Sequence, residues 1–308
     1  MTESSEPAGS APIVEVYIDP EGRRFEYVHI RHGRPDLAVH FSAFFGKWGD
    51  AKPYRDRFQG YFHRLKMLGS SENHDWLFLC DPYGAFDNGT YYTGHKGDFF
   101  VERATSTIIE RVATEGNYPS SQVATIGSSM GATAALKFGL LFDVRGIVAV
   151  GPHVDLDISA LAQGREREVA WICPDGDFAA PHNFIYTRQI KNMLGAWAPG
   201  RPLPTLFLQS CADDVGVHDQ QVVPLYEQWR AEGGSAYLDT RPKGGHTSDY
   251  ATRPLMLDAL QRLLAGEPVD VARYQRDPEF AGQLTAPPLS HRLRRRASLV
   301  RNRLLRRG

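Results

Sequence analysis

Apolar positions along this chain follow two rhythms, and each change of rhythm marks an element. Residues 13–18 and 24–30 alternate apolar and polar side chains, which predicts two strands paired as a hairpin. The apolar run 37–45 predicts a third strand. Trp76-Leu77-Phe78-Leu79-Cys80 is apolar throughout, as a strand covered on both faces would be. A loop at 83–96, rich in glycine and aromatics, follows it. Val101, Ala104, Ile108 and Val112 then recur at helical spacing behind a capping residue, Asp98, and Gly116-Asn117-Tyr118-Pro119 stops that helix. Further strands are predicted at 122–126, 145–150, 204–209 and 235–240, with helices at 130–142, 222–231 and 254–265.

Strands alternating with helices of this length predict the α/β class, a mostly parallel central sheet with helices on both faces. Right-handed crossovers bring the C-terminal ends of the parallel strands to one rim, where such sheets hold their sites. Residues 153–201 interrupt the alternation with helical pieces and several aromatics, and read as a helical lid inserted over that rim. One domain over 13–265 is expected, behind a disordered leader at 1–12. A proline-punctuated linker at 266–290 and a tail at 291–308 follow it.

Composition refines this picture in two places. With 308 residues, 42% hydrophobic and 23% charged, the chain has the material for a large core. The formal net charge of −1 conceals an asymmetry: residues 291–308 carry eight arginines and no acid, leaving 27 basic and 36 acidic residues elsewhere, a formal −9. The domain itself is therefore no nucleic-acid binder, and any basic function belongs to the tail. There Leu293, Ala297, Val300 and Leu304 recur at helical spacing among the arginines. That pattern fits a short amphipathic helix on an anionic membrane surface, or equally a frayed, solvated terminus. Three cysteines, Cys80, Cys173 and Cys211, give neither a disulfide framework nor a metal pair. The acidic, polar first residues are unlike a signal peptide, and no apolar run approaches the roughly 20 residues of a membrane span. A cytoplasmic enzyme is expected, peripheral at the membrane if the tail docks there.

The chemistry concentrates at Gly127-Ser128-Ser129-Met130-Gly131, with a strand running in and an alanine-rich helix running out. That is the setting of a nucleophile elbow, in which Ser129 stands on a strained turn and the glycines let neighbouring segments approach. An alcohol is a poor nucleophile at neutral pH, so a histidine and a carboxylate are needed, in the chain order serine, acid, histidine. His246 lies in the glycine-rich loop after the last strand. Asp213 is the favoured acid, with Asp214 as the alternative. The backbone N–H of Met130 is one expected oxyanion donor, and the second is sought in the loop after Cys80, at Tyr83 or Gly84. His153 and His218 also lie near strand ends, as substrate contacts or surface residues. Tyr91 and Tyr92 offer flat faces and hydroxyls suited to sugar rings, or else pack their loop onto the sheet.

The runs FLCDPYGAFDNGTYYTG, DFFVERATSTIIERV and ATIGSSMGATAALKFGL resemble the α/β-hydrolase family of capsular-polysaccharide biosynthesis proteins (XcbB/CpsF type). They are also similar to the acyltransferase component of accessory secretion systems that modify serine-rich glycoproteins. The resemblance covers roughly residues 37 to 152, including HFSAFF. It implies an α/β-hydrolase fold and a serine hydrolase or acyltransferase acting on glycans, with Ser129 as nucleophile. After the elbow it weakens at VGPHVDLD. Two other readings compete: a catalytically silent accessory protein of a biosynthetic complex, and a peptidase or thioesterase on the same triad. No HExxH, P-loop or dinucleotide glycine pattern appears, so the residues give no support to a metal or nucleotide cofactor.

Overall fold

In the central strands alternate residues point to opposite faces, and both faces are apolar. The computed structural model describes residues 12–44, 62–87, 89–282 and 284. Its strands are β1 (Val14–Ile18), β2 (Arg24–Ile30), β3 (Leu37–Phe41), β4 (Asp75–Leu79), β5 (Val123–Ser128), β6 (Gly146–Val150), β7 (Thr205–Cys211) and β8 (Ala236–Arg241). They form one sheet in the order β1-β2-β4-β3-β5-β6-β7-β8. β1 pairs with β2, and β2 with β4, antiparallel; every later pairing is parallel. The expected hairpin is thus the edge of an otherwise parallel sheet.

Leu37, Val39 and Phe41 of β3, Leu77 and Leu79 of β4, and Ile147 and Ala149 of β6 enter one core. Their neighbours Ala38, Trp76, Phe78, Val148 and Val150 enter the other. The second core is closed by α1 (Leu65–Leu68) and by the helices that follow β8. The first is covered by α2 (Phe100–Gly116) and α3 (Met130–Leu141), by the insertion, and by the helix after β7. Burying both faces explains why these strands read as unbroken apolar runs.

Between β6 and β7 the predicted insertion folds into α4 (Leu156–Gln163), α5 (Glu166–Ile172), α6 (Phe184–Thr187) and α7 (Gln189–Gly195). Leu156, Ala160, Val169, Ile172, Ile190 and Leu194 anchor it to the first core. The backbone N–H groups of Lys96 and Gly97 donate to the carbonyls of Trp171 and Ile172, tying the insertion to the loop after β4. The chain then adds α8 (Val223–Ala231) after β7, and α9 (Arg253–Ala265), α10 (Val271–Arg276) and α11 (Pro278–Ala281) after β8.

Three local expectations are corrected. Asp98 does not cap α2: its carboxylate accepts from Arg103, and the helix starts at Phe100 without a side-chain cap. β7 continues two residues past 209, because Ser210 and Cys211 pair with Thr240 and Arg241. The start of the expected linker is packed structure, with Tyr274 and Phe280 buried in the second core. The leader up to residue 11 and the arginine tail lie outside the described residues. No helix among the described residues is long and apolar enough to cross a membrane.

Candidate active site

β5 ends at Ser128 and α3 begins at Met130, so Ser129 alone makes the turn. Its φ of 54° and ψ of −123° lie where an L-residue is strained, at a cost on the order of 1–3 kcal/mol. Neither elbow glycine needs a positive φ; close approach is the constraint. A Cβ on Gly127 would run into the carbonyl of Gly131, and one on Gly131 into the carbonyl of Phe41. The turn is held by Ser129 N–H donating to Val150 O at 2.8 Å. Met130 N–H, at the first position of α3, has no acceptor within its helix and stands at the positive end of the helix dipole.

Ser129 Oγ lies 2.8 Å from His246 Nε2, and His246 Nδ1 lies 2.8 Å from Asp214 Oδ2. A carboxylate only accepts, so Nδ1 carries the ring proton and Nε2 is left to accept from the serine hydroxyl. Asp214, not the favoured Asp213, is therefore the residue against His246. The extra length of β7 decides this. A strand ending at residue 209 would give Asp213 the better offset, whereas the turn begins after Cys211, with Asp214 N–H on Cys211 O and Asp214 O capped by Val217 and His218 N–H. Asp213 instead accepts from Gly245 N–H at 2.6 Å and holds the loop that carries His246. The second oxygen of Asp214 accepts from Gln163 of α4 at 3.1 Å, a contact from the insertion that no sequence signal pointed to.

His153 is fully buried, with Nε2 3.5 Å from Ser129 Oγ and its ring 4.6 Å from that of His246. Burial holds its imidazole well below the ordinary histidine range, and the neighbouring His246 and Arg165 push the same way. Its Nδ1 lies 2.8 Å from Ser159 Oγ, and Ser159 in turn meets Gln221. The His218 side chain contacts Ser210 instead of Ser129, while its backbone N–H caps Asp214 O.

Of the two readings of the loop after β4, the structure shows the packed one. Tyr91 and Tyr92 are 1% and 0% exposed, so they do not offer open faces to a sugar. Tyr92 hydroxyl sits within 2.8–3.2 Å of Ser42 N, Ser42 O and Leu79 O and braces two strand ends. Tyr91 packs edge-on against His153 and Phe44. Asp81 accepts from the backbones of Thr90 and Tyr92 and the Thr90 hydroxyl, and buried Lys137 donates to the carbonyls of Tyr91 and Tyr92. Burial raises the Asp81 carboxyl above its usual range despite these bonds, and lowers the Lys137 amine.

Tyr83 is not directed at the nucleophile either. Tyr83 N–H is turned to the Asp81 carboxylate, and its hydroxyl donates to Arg24 O. The reason is strand order: β3 lies between β4 and β5, so the chain leaving β3 at Ser42-Ala43-Phe44 abuts the elbow. Ser42 N–H is already committed to Leu79 O, and the next backbone N–H groups along that chain belong to Ala43 and Phe44.

No family model matches the chain, and no curated relative does. Solved structures with similar folds include the capsule O-acetyltransferase of Neisseria meningitidis serogroup A, 16% identical, with a TM-score of 0.61 over 83% of this chain and 97% of that one. The glycosylation-associated Gap123 complex of Streptococcus agalactiae is 18% identical with a TM-score of 0.60, over 87% of this chain and 47% of that one. An S-formylglutathione hydrolase of Agrobacterium tumefaciens is 12% identical with a TM-score of 0.56, over 82% and 94%. Strand order, elbow and these neighbours agree: the chain has the α/β-hydrolase fold.

Proposed function

We propose that this protein is a serine esterase or O-acyltransferase that works through an acyl-enzyme on Ser129. The observation that carries the reading is the continuous line Ser129 Oγ, His246, Asp214 at 2.8 Å for each contact. His246 Nε2 takes the hydroxyl proton as Ser129 Oγ attacks an acyl carbonyl, and returns it to the leaving oxygen. Asp214 holds the ring in the tautomer this requires. Met130 N–H, with a backbone N–H of Ala43 or Phe44, receives the developing oxyanion. Water or a hydroxyl compound then takes the acyl group from Ser129.

A glycan as the acyl carrier or acceptor is the finer part of the proposal. It is supported by the likeness to a capsule O-acetyltransferase and a glycosylation-associated complex, and by the sequence resemblance over residues 37 to 152. The buried tyrosine pair gives it no support. A fluorophosphonate probe should label the wild type and leave Ser129→Ala and His246→Ala unlabelled. Equal labelling of Ser129→Ala would end the reading. Acetylated sugars compared with simple aryl esters then separate a glycan enzyme from a general esterase.

A further inference from the structure

Beside the triad stands a second imidazole that the reaction above leaves without a task. Its hydrogen-bond partners fix where its proton sits. Gln221 Oε1 accepts the N–H groups of both Val154 and Asp155 at 2.8 Å, which settles the orientation of that amide. Gln221 Nε2 therefore donates, to Gly216 O and, at 2.9 Å, to Ser159 Oγ. The Ser159 hydroxyl has one proton of its own. Its acceptors are His153 Nδ1 at 2.8 Å and Gln221 Oε1 at 3.4 Å, the latter already doubly occupied. A proton on His153 Nδ1 would leave the serine only the poor contact. Nδ1 thus accepts, and the neutral ring carries its hydrogen on Nε2, the atom 3.5 Å from Ser129 Oγ. The backbone is equally fixed, with His153 N and O 2.9 and 3.0 Å from Thr133 Oγ1 on the nucleophile helix.

Resting on the Ser129 reading, we propose that His153 is a catalytic hydrogen-bond donor that selects and orients an oxygen nucleophile in the second half-reaction. The two Nε2 atoms converge on Ser129 Oγ with opposite properties, His246 accepting and His153 donating. A water or alcohol oxygen attacking the acyl carbon gives its proton to His246 Nε2 and uses one lone pair for the new bond. Its other lone pair accepts from His153 N–H. The bond to Ser129 Oγ then breaks, and the proton on His246 passes to that oxygen. His153 ends as it began. An amine has a single lone pair and must spend it on the attack, so it leaves His153 N–H unmatched. The acceptor class is accordingly water or a hydroxyl compound rather than an amine.

The test uses the full chain with p-nitrophenyl acetate, separating the acylation burst from steady-state turnover. His153→Phe should keep the burst within about threefold while deacylation slows roughly ten- to a hundredfold, as for the loss of one positioned donor. His153→Gln, which carries an amide N–H to the place of Nε2, should recover most of that loss. Wild type should pass acetyl to methyl glucoside but not to glycinamide, and His153→Phe should lose this preference. Undiminished deacylation in His153→Phe, or equal transfer to glycinamide in the wild type, overturns the proposal. Nitrogen-15 spectra of the wild type give a check independent of turnover: a hydrogen on Nδ1 of His153 overturns it too. If instead the burst survives in Ser129→Ala, it is the acyl-enzyme reading that fails.

Discussion

Two serine–histidine pairs stand at the C-terminal ends of β5 and β7, and only one of them is arranged for chemistry. Ser129 meets His246 at 2.8 Å and Ser210 meets His218 at 2.7 Å, so the distances alone do not separate them. Everything around them does. His246 is oriented by a buried carboxylate, Asp214, on the ring nitrogen away from the serine. Behind His218 stands Asp219, 3.8 Å away with its side chain 84% exposed. Ser129 sits on a strained turn before a helix N-terminus, whereas Ser210 lies inside β7 with its backbone spent on the ladder to Thr240. A pair becomes a reactive centre through the turn that presents it and the dipoles left free beside it. The second pair reads as a buried hydroxyl finding its partner.

The largest expected effect on this contrast comes from Ser129→Ala, which should lower ester turnover at least about 10³-fold while Ser210→Ala leaves it within about threefold. A comparable loss in Ser210→Ala would erase the distinction. Next comes the orienting acid: Asp214→Asn should cost roughly 10²–10⁴-fold in kcat, because the amide no longer enforces the Nδ1–H tautomer. Asp213→Asn should cost less, about tenfold or under, since it acts only through the loop at Gly245. A larger effect from Asp213→Asn would reverse the assignment of the two residues.

A smaller effect tests the elbow as packing. Gly131→Ala places a methyl against the Phe41 carbonyl, a backbone atom that has little room to yield. Urea unfolding should show roughly 1–3 kcal/mol of lost stability, together with reduced probe labelling. The smallest is Ser210→Ala itself, where one hydrogen bond to His218 is removed and about 1 kcal/mol should be lost.

The α/β class, the hairpin and the insertion between β6 and β7 were all legible in the chain, because they follow from period: the central strands are buried on both faces and read as apolar runs, the hairpin strands alternate, and the spaces between strands are helical. The elbow was legible for a related reason. Gly127 and Gly131 meet backbone within five residues and one neighbouring strand, so the constraint is nearly local. His246 could be picked out by its place after the last strand.

Tertiary structure decided what depends on register and on strand order. Two more residues of pairing between β7 and β8 carried the turn forward and put Asp214 rather than Asp213 against His246. The insertion of β3 between β4 and β5 moved the elbow's neighbour from Tyr83 to the chain after Phe41. The hydrogen-bonded set of His153, Ser159 and Gln221 joins positions as far as 68 residues apart, which no local pattern encodes. A short motif fixes where a nucleophile stands because its neighbours are sterically dictated. Which carboxylate and which second donor reach it depends on pairings distant in the sequence, and those exist only once the sheet has closed.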